Sequence, residues 1–131
     1  MEMELFRIQI DENRGEQVIV LKEKNGVRTL PIVIGIVEAT AIKMKISGFS
    51  PPRPLTHDLL NNTIKGLDAH LEKIVVEKLE DNIFYAKLII RDSQGNIKEI
   101  DARPSDSIAL ALRANAPIFV HNNVLEKLKN S

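Results

Sequence analysis

Residues 15–34 read GEQVIVLKEKNGVRTLPIVI. Val18-Ile19-Val20-Leu21 are four large apolar residues in succession, three of them β-branched, a run expected of a central strand covered on both faces. Asn25-Gly26 is a strong short-range hairpin signal, because both residues tolerate positive φ. Leu30 to Ile34 is then the returning strand. Upstream, a further strand begins at Met3 and is separated from Val18 by a break at Asn13 to Gly15. The first thirty-four residues therefore predict an antiparallel meander of three strands.

The pattern changes after Gly35. Ile36 to Ser47 lacks strand alternation and suits a helix closed by Gly48. On a helical wheel Val37, Ala41 and Met44 form one apolar stripe and Ala39, Ile42 and Ile46 another, with Glu38 and Lys45 between them. Two stripes predict two neighbours, the sheet and a second subunit. Glu38, a carboxylate between apolar stripes, requires a partner.

Ser50-Pro51-Pro52-Arg53-Pro54 cannot be helical and forms a stiff connector. A second helix follows, with Thr56 placed as its cap, Leu55 and Leu60 as a hydrophobic staple, and Leu60, Ile64 and Leu67 as its buried stripe. His70 to Leu79, Ile83 to Asp92 and Asn96 to Arg103 give a second meander, broken at Asp81-Asn82 and at Ser93-Gln94-Gly95. Ser105 is expected to cap a helix ending near Ala114, with Asn115 as its stop. Ile118-Phe119-Val120 is a short buried strand, and Asn122 or Asn123 caps a last helix through Leu128. The fold class expected is α+β: two antiparallel three-strand meanders forming a mixed or antiparallel sheet core, with three to four helices packed on it. Residues 1–128 are expected to form one domain and 129–131 a frayed tail.

Composition narrows the chemistry. With 44% hydrophobic and 27% charged residues in 131, the chain is expected to bury one ordinary core. Lysine plus arginine equals aspartate plus glutamate at 18 each, so no global field draws in a polyanion, and nucleic-acid contact must come from local basic groups. Cysteine is absent, which removes thiolate nucleophiles and Cys-ligated zinc. The acidic, alternating N-terminus does not resemble a signal peptide, and a cytoplasmic setting is expected. No Gly-rich phosphate loop, paired-histidine motif or nucleophile elbow is present. Aromatics are 4% of residues, with Phe84-Tyr85 the one adjacent pair, so a stacking platform is not expected.

Polar residues gather in two segments, Arg53-Pro54-Leu55-Thr56-His57-Asp58 and Asp101-Ala102-Arg103-Pro104-Ser105-Asp106. Each joins an irregular connection to a helix start, where free N–H groups and the dipole favour an anion. Arg53 and Arg103 are candidate phosphate clamps, with Thr56 and Ser105 beside them as further substrate-binding candidates. Asp101, Asp106, His57, Asp58 and Glu38 are the catalytic candidates. Asp58, Asp101 and Asp106 could together hold Mg²⁺ or Mn²⁺, with no organic cofactor. This requires the two segments to meet in space or across a subunit interface.

The runs LPIVIGIVEATAI, PPRPLTHDLL, FYAKLII and DARPSDSIALALRANAPIFV, in this order and spacing, resemble the bifunctional nuclease domain family across roughly Leu5 to Leu128. The resemblance implies a compact α+β domain, association as a homodimer or higher homo-oligomer, and hydrolysis of DNA and RNA. It implies no settled catalytic set. The expected function is thus a metal-assisted, largely sequence-nonspecific phosphodiester hydrolase. The alternatives are a noncatalytic anion- or nucleotide-binding module and an oligomeric structural or regulatory protein.

Overall fold

The computed structural model describes residues 1–11, 13 and 15–129. The first meander is β1 (Glu2–Asp11), β2 (Glu16–Glu23) and β3 (Thr29–Ile34), followed by α1 (Ile36–Ile46) and α2 (Thr56–Gly66). The second is β4 (Ala69–Glu80), β5 (Ile83–Asp92) and β6 (Ile97–Ala102). The chain then forms α3 (Pro104–Ala114), β7 (Ile118–Val120) and α4 (Asn122–Lys129). All seven strands lie in one sheet of order β3-β2-β1-β7-β4-β5-β6.

The short strand β7 unites the two meanders. It pairs antiparallel with β1 through Ile118 and Phe119, and parallel with β4 through Ile74↔Ile118 to Val76↔Val120. Those two pairings make the sheet mixed. Ile19, Val20 and Leu21 of β2 are all buried, so both faces are covered as the apolar run requires. On β4 the buried positions change parity from Leu71 to Ile74 and Val76, and the register shift between Leu71 and Lys73 accounts for it. One apolar core runs from Met3, Ile19 and Leu30 through Ile74 and Leu110 to Val124 and Leu125.

Turn chemistry differs between the two hairpins. Asp81 and Asn82 both have positive φ, 52° and 64°, and close β4 onto β5 as a two-residue loop between Glu80 and Ile83. Asn25 and Gly26 do not: neither is among the positive-φ residues, and the β2–β3 connection is a five-residue loop. A Cβ at position 26 would meet the Glu23 side chain, chiefly its flexible carboxylate end, which is paired with Arg28 and would have to swing aside. The expected break at 13–15 falls partly on residue 14, outside the described residues, although Gly15 has φ 69°.

Three helix starts depart from expectation. Leu55 and Arg103, not Thr56 and Ser105, precede the first helical residues of α2 and α3, and neither helix has a side-chain cap from its N-cap residue. Pro104 occupies the first position of α3, which its fixed φ favours. At α4, Nδ1 of His121 accepts the Asn123 N–H, taking the place expected of an asparagine. The Leu55/Leu60 staple is lost with the shift of the cap, and in α2 only Ile64 of the expected apolar stripe is buried, beside His57 and Asn61. Leu60 and Leu67 are exposed. In α1, Ala39, Ala41 and Ile42 are buried, but Val37 is 73% exposed and Ile46 also faces out. Helix α4 includes Lys129, one residue beyond the expected end; residues 130 and 131 lie outside those described. No helix among the described residues is long and apolar enough to cross a membrane.

Candidate functional site

Helix α3 packs against α1, α2, β4 and β5, and this brings the two polar segments together. Both helix starts place an aspartate at the third helical position, Asp58 in α2 and Asp106 in α3. His57 lies buried on α2, and its Nε2 is 3.0 Å from Oδ1 of Asp106. The other oxygen of Asp106 accepts from Nε of Arg103 at 2.8 Å. Nη2 of the same guanidinium is 2.7 Å from Oε1 of Glu38 on α1. A continuous polar chain therefore runs Glu38, Arg103, Asp106, His57 across three helices. Glu38 obtains the partner its apolar surroundings demanded.

Burial opposes the negative charge of Asp106. The hydrogen bonds from Arg103 and His57, with the Arg103 charge, outweigh it and hold the carboxyl below the usual carboxylate range. Reciprocally, the hydrogen bond to Asp106 and its charge, followed by the pull of Glu38, raise the Arg103 pKa against a smaller burial effect. Arg103 remains 67% exposed, so its other N–H groups face solvent. A cavity of about 480 Å³ opens here, lined by Thr56, His57, Leu60, Asp101, Arg103 and Asp106 among others. Asp101 is exposed on β6 at its edge and makes no ion pair among the described residues.

Asp58 is placed differently. Its Oδ2 accepts the Leu55 N–H at 2.9 Å, and its Oδ1 lies 2.7 Å from Nε of Arg113. Burial works against its charge as well, and the Leu55 amide and the Arg113 guanidinium together keep its pKa low. Arg113 also donates to the Ala41 and Ala109 carbonyls, so this one side chain ties α1, α2 and α3 together. Sequence reasoning missed it. The available signal was a lone cation one i+7 step from Asp106, in the last turn of an alanine- and leucine-rich helix.

Arg53 does not join Arg103. It lines a separate cavity of about 300 Å³ with Lys45, Phe49, Asp58 and Asn62. Thr56 is exposed at the edge of the His57 cavity, whereas Ser105 is buried and lines neither space. Among the described residues no group of three or more histidines, aspartates and glutamates is gathered to hold a metal ion.

Fold and site together define a class: an α+β domain whose mixed sheet supports a histidine–aspartate pair and an arginine bridge at adjoining helix starts. The chain belongs to the bifunctional nuclease domain family, which it matches over residues 19–131. It is 44% identical over 124 residues to a protein from each of two strains of Mycobacterium tuberculosis, both named as uncharacterized, covering 95% of this chain and 73% of theirs. It is also 25% identical over 118 residues to a protein named bifunctional nuclease 2 from Oryza sativa subsp. japonica. That match covers 88% of this chain and 36% of the rice protein.

Proposed function

We propose that this chain hydrolyses phosphodiester bonds of DNA and RNA with little sequence specificity. The observation that carries this reading is the 3.0 Å contact between His57 Nε2 and Asp106 Oδ1 beside an open cavity with an exposed arginine. Asp106 accepts from Nε2 in the tautomer that leaves Nδ1 as the basic nitrogen, and His57 then takes a proton from the attacking water. Glu38 and Asp106 hold Arg103 so that its remaining N–H groups meet the phosphate oxygens, where negative charge grows in the transition state. Thr56 borders the same space as a hydrogen-bonding group. Asp58, with both oxygens engaged, positions α2 rather than meeting substrate.

Mg²⁺ and Mn²⁺ fit the oxygen donors here in a restricted way. Asp101 and Asp106 line one cavity, and Mg²⁺ is commonly held by one or two carboxylates plus substrate phosphates. Asp101 would hold the ion together with the substrate phosphates; Asp106 and Asp58, each with both oxygens already engaged, would not. When bound it would offset phosphoryl charge and acidify a water.

The test is incubation of the purified chain with plasmid DNA and with RNA, in Mg²⁺, Mn²⁺ or EDTA. Cleavage is expected with Mg²⁺ or Mn²⁺, and both His57→Ala and Asp106→Asn should abolish most of it. Activity untouched by those substitutions sinks the site as drawn, and activity untouched by EDTA sinks the metal. Binding of nucleic acid with no cleavage in any condition would favour the noncatalytic module.

A second copy of the chain is the proposed partner. Ile36, Val37, Thr40 and Met44 line an apolar groove on the outer side of α1, the stripe that packing within one chain leaves open. An isologous contact through this face would bury it.

A further inference from the structure

The cavity around Arg53 lies outside the catalytic pair and has its own chemistry. Helix α1 ends in a Schellman motif: Gly48, at φ 76°, donates to the Lys45 carbonyl, and Phe49 donates to the Met44 carbonyl. This ending fixes the backbone at Phe49, and Met44 and Phe49 both line the cavity. Phe49 is 57% exposed, and Pro51, Pro52 and Pro54 stiffen the segment that follows it. Lys45 and Arg53 line the same cavity, and neither makes an ion pair among the described residues. The one carboxylate in the cavity, Asp58, is neutralised by buried Arg113.

The cavity also connects with the catalytic one. The groove between them shares Met44 and Leu55 with the Phe49 cavity and Thr56 and His57 with the Asp106 cavity. Arg53 and His57 are four positions apart, so their backbones can lie at most roughly 14 Å apart. That span accommodates one or two nucleotides of an extended strand.

We propose that the Phe49 cavity is a flanking-nucleotide subsite, in which Phe49 stacks on one base of a single strand while Lys45 and Arg53 hold the adjoining phosphate. The proposal rests on the nuclease reading for its location beside His57. It adds the substrate class, since a base must leave its duplex to stack on the ring. A base offers a π-face whatever its identity, which keeps recognition sequence-tolerant.

The experiment measures binding of the full chain to a short phosphorothioate oligothymidylate, to an abasic oligomer of equal length and to a duplex, by fluorescence anisotropy. Phe49→Ala should weaken oligothymidylate binding about tenfold and leave the abasic oligomer unchanged. Phe49→Trp should retain binding, with indole fluorescence quenched by the oligomer. Joint Lys45→Gln and Arg53→Gln should weaken both single strands and reduce the dependence of log K on log salt by roughly 0.7, the value for one single-strand phosphate. No oligothymidylate binding by the unaltered chain, equal binding by Phe49→Ala, or duplex binding as tight as single-strand binding overturns the subsite. If cleavage is absent but these changes still follow, the nuclease reading falls and the subsite stands. If cleavage depends on His57 and Asp106 while Phe49→Ala binds normally, the subsite alone falls.

Discussion

The guanidinium of Arg113, only 4% exposed, lies 2.7 Å from the carboxylate of Asp58, fifty-five positions earlier in the chain. A buried cation is tolerated only while its partner remains. Asp58→Ala should therefore destabilise the fold by about 3 kcal/mol, because it strands that charge and removes the acceptor for the Leu55 amide. Arg113→Met, which removes the charge but keeps much of the volume, should cost less. In urea denaturation the double variant should fall short of the sum of the single losses by at least about 1 kcal/mol. Strict additivity would show that the two side chains act independently.

Acid should weaken the protein through the same carboxylates. Asp58, Asp106 and the turn residue Asp92 all have folded pKa values below their ordinary one. Their contribution is complete above the unfolded pKa of about 3.9 and disappears as pH falls through the lower folded values. Stability should thus be level in this respect above roughly pH 5 and decline below about pH 4. Arg103 contributes nothing to this acid limb: its pKa is raised above the ordinary arginine value, so its effect is present throughout and lost only in strong alkali. Urea midpoints measured against pH should show the decline, and it should be shallower for Asp58→Asn with Asp106→Asn. An unchanged acid limb in that double variant would falsify the assignment.

The bridge made by Arg103 requires a planar fork. Arg103→Lys keeps the charge but cannot reach Glu38 and Asp106 with the same geometry. Cleavage should fall about tenfold or more, while stability changes by less than about 1 kcal/mol, since the group is exposed. Gly35→Ala gives an independent check. Position 35 has φ −76°, which alanine adopts freely, but the new Cβ would lie 2.9 Å from Oε2 of Glu38. It should press Glu38 away from Arg103 and reproduce part of the activity loss. Full activity in both variants would remove Glu38 and Arg103 from the site.

What was legible in the sequence follows from the range of each interaction. Strand order within each meander came from local turns and apolar runs, and Asp81-Asn82 and Asn115 adopt the left-handed backbone that such residues favour. Asn25-Gly26 carried an equally strong local signal, yet its loop is longer and neither residue takes positive φ. The pairing of β7 between β1 and β4 is nonlocal, and nothing within Ile118-Phe119-Val120 specifies it. The site divides in the same way. Glu38 announced its need for a partner by lying between apolar stripes, and the aspartates by standing at helix starts. Which arginine each would meet depended on how α3 crosses α1 and α2: Asp106 met its neighbour Arg103, Asp58 met distant Arg113, and Arg53 was left facing solvent.

The outer face of α1 supplies the last prediction. Val37 is 73% exposed on a helix whose opposite side is buried against α3 and the first meander. An apolar stripe fully covered by neither helix nor sheet is destabilising to leave in water, and a second copy placing the same stripe against it would cover both at once. A stable dimer needs an interface of roughly 1,600 Å² in total, more than α1 alone supplies, so Leu55 and Thr56, which line the same groove from the start of α2, must take part. Sedimentation should show association at micromolar concentration, and Val37→Glu should shift the protein toward the single-copy species by opposing like charges across the two-fold axis. Because Val37 lies on the surface of the isolated chain, the substitution should change the unfolding free energy of the monomer by no more than about 0.5 kcal/mol. A chain that sediments as one copy at high concentration, with Val37→Glu indistinguishable from it, would exclude α1 as an interface and leave its apolar groove open beside the His57 cavity.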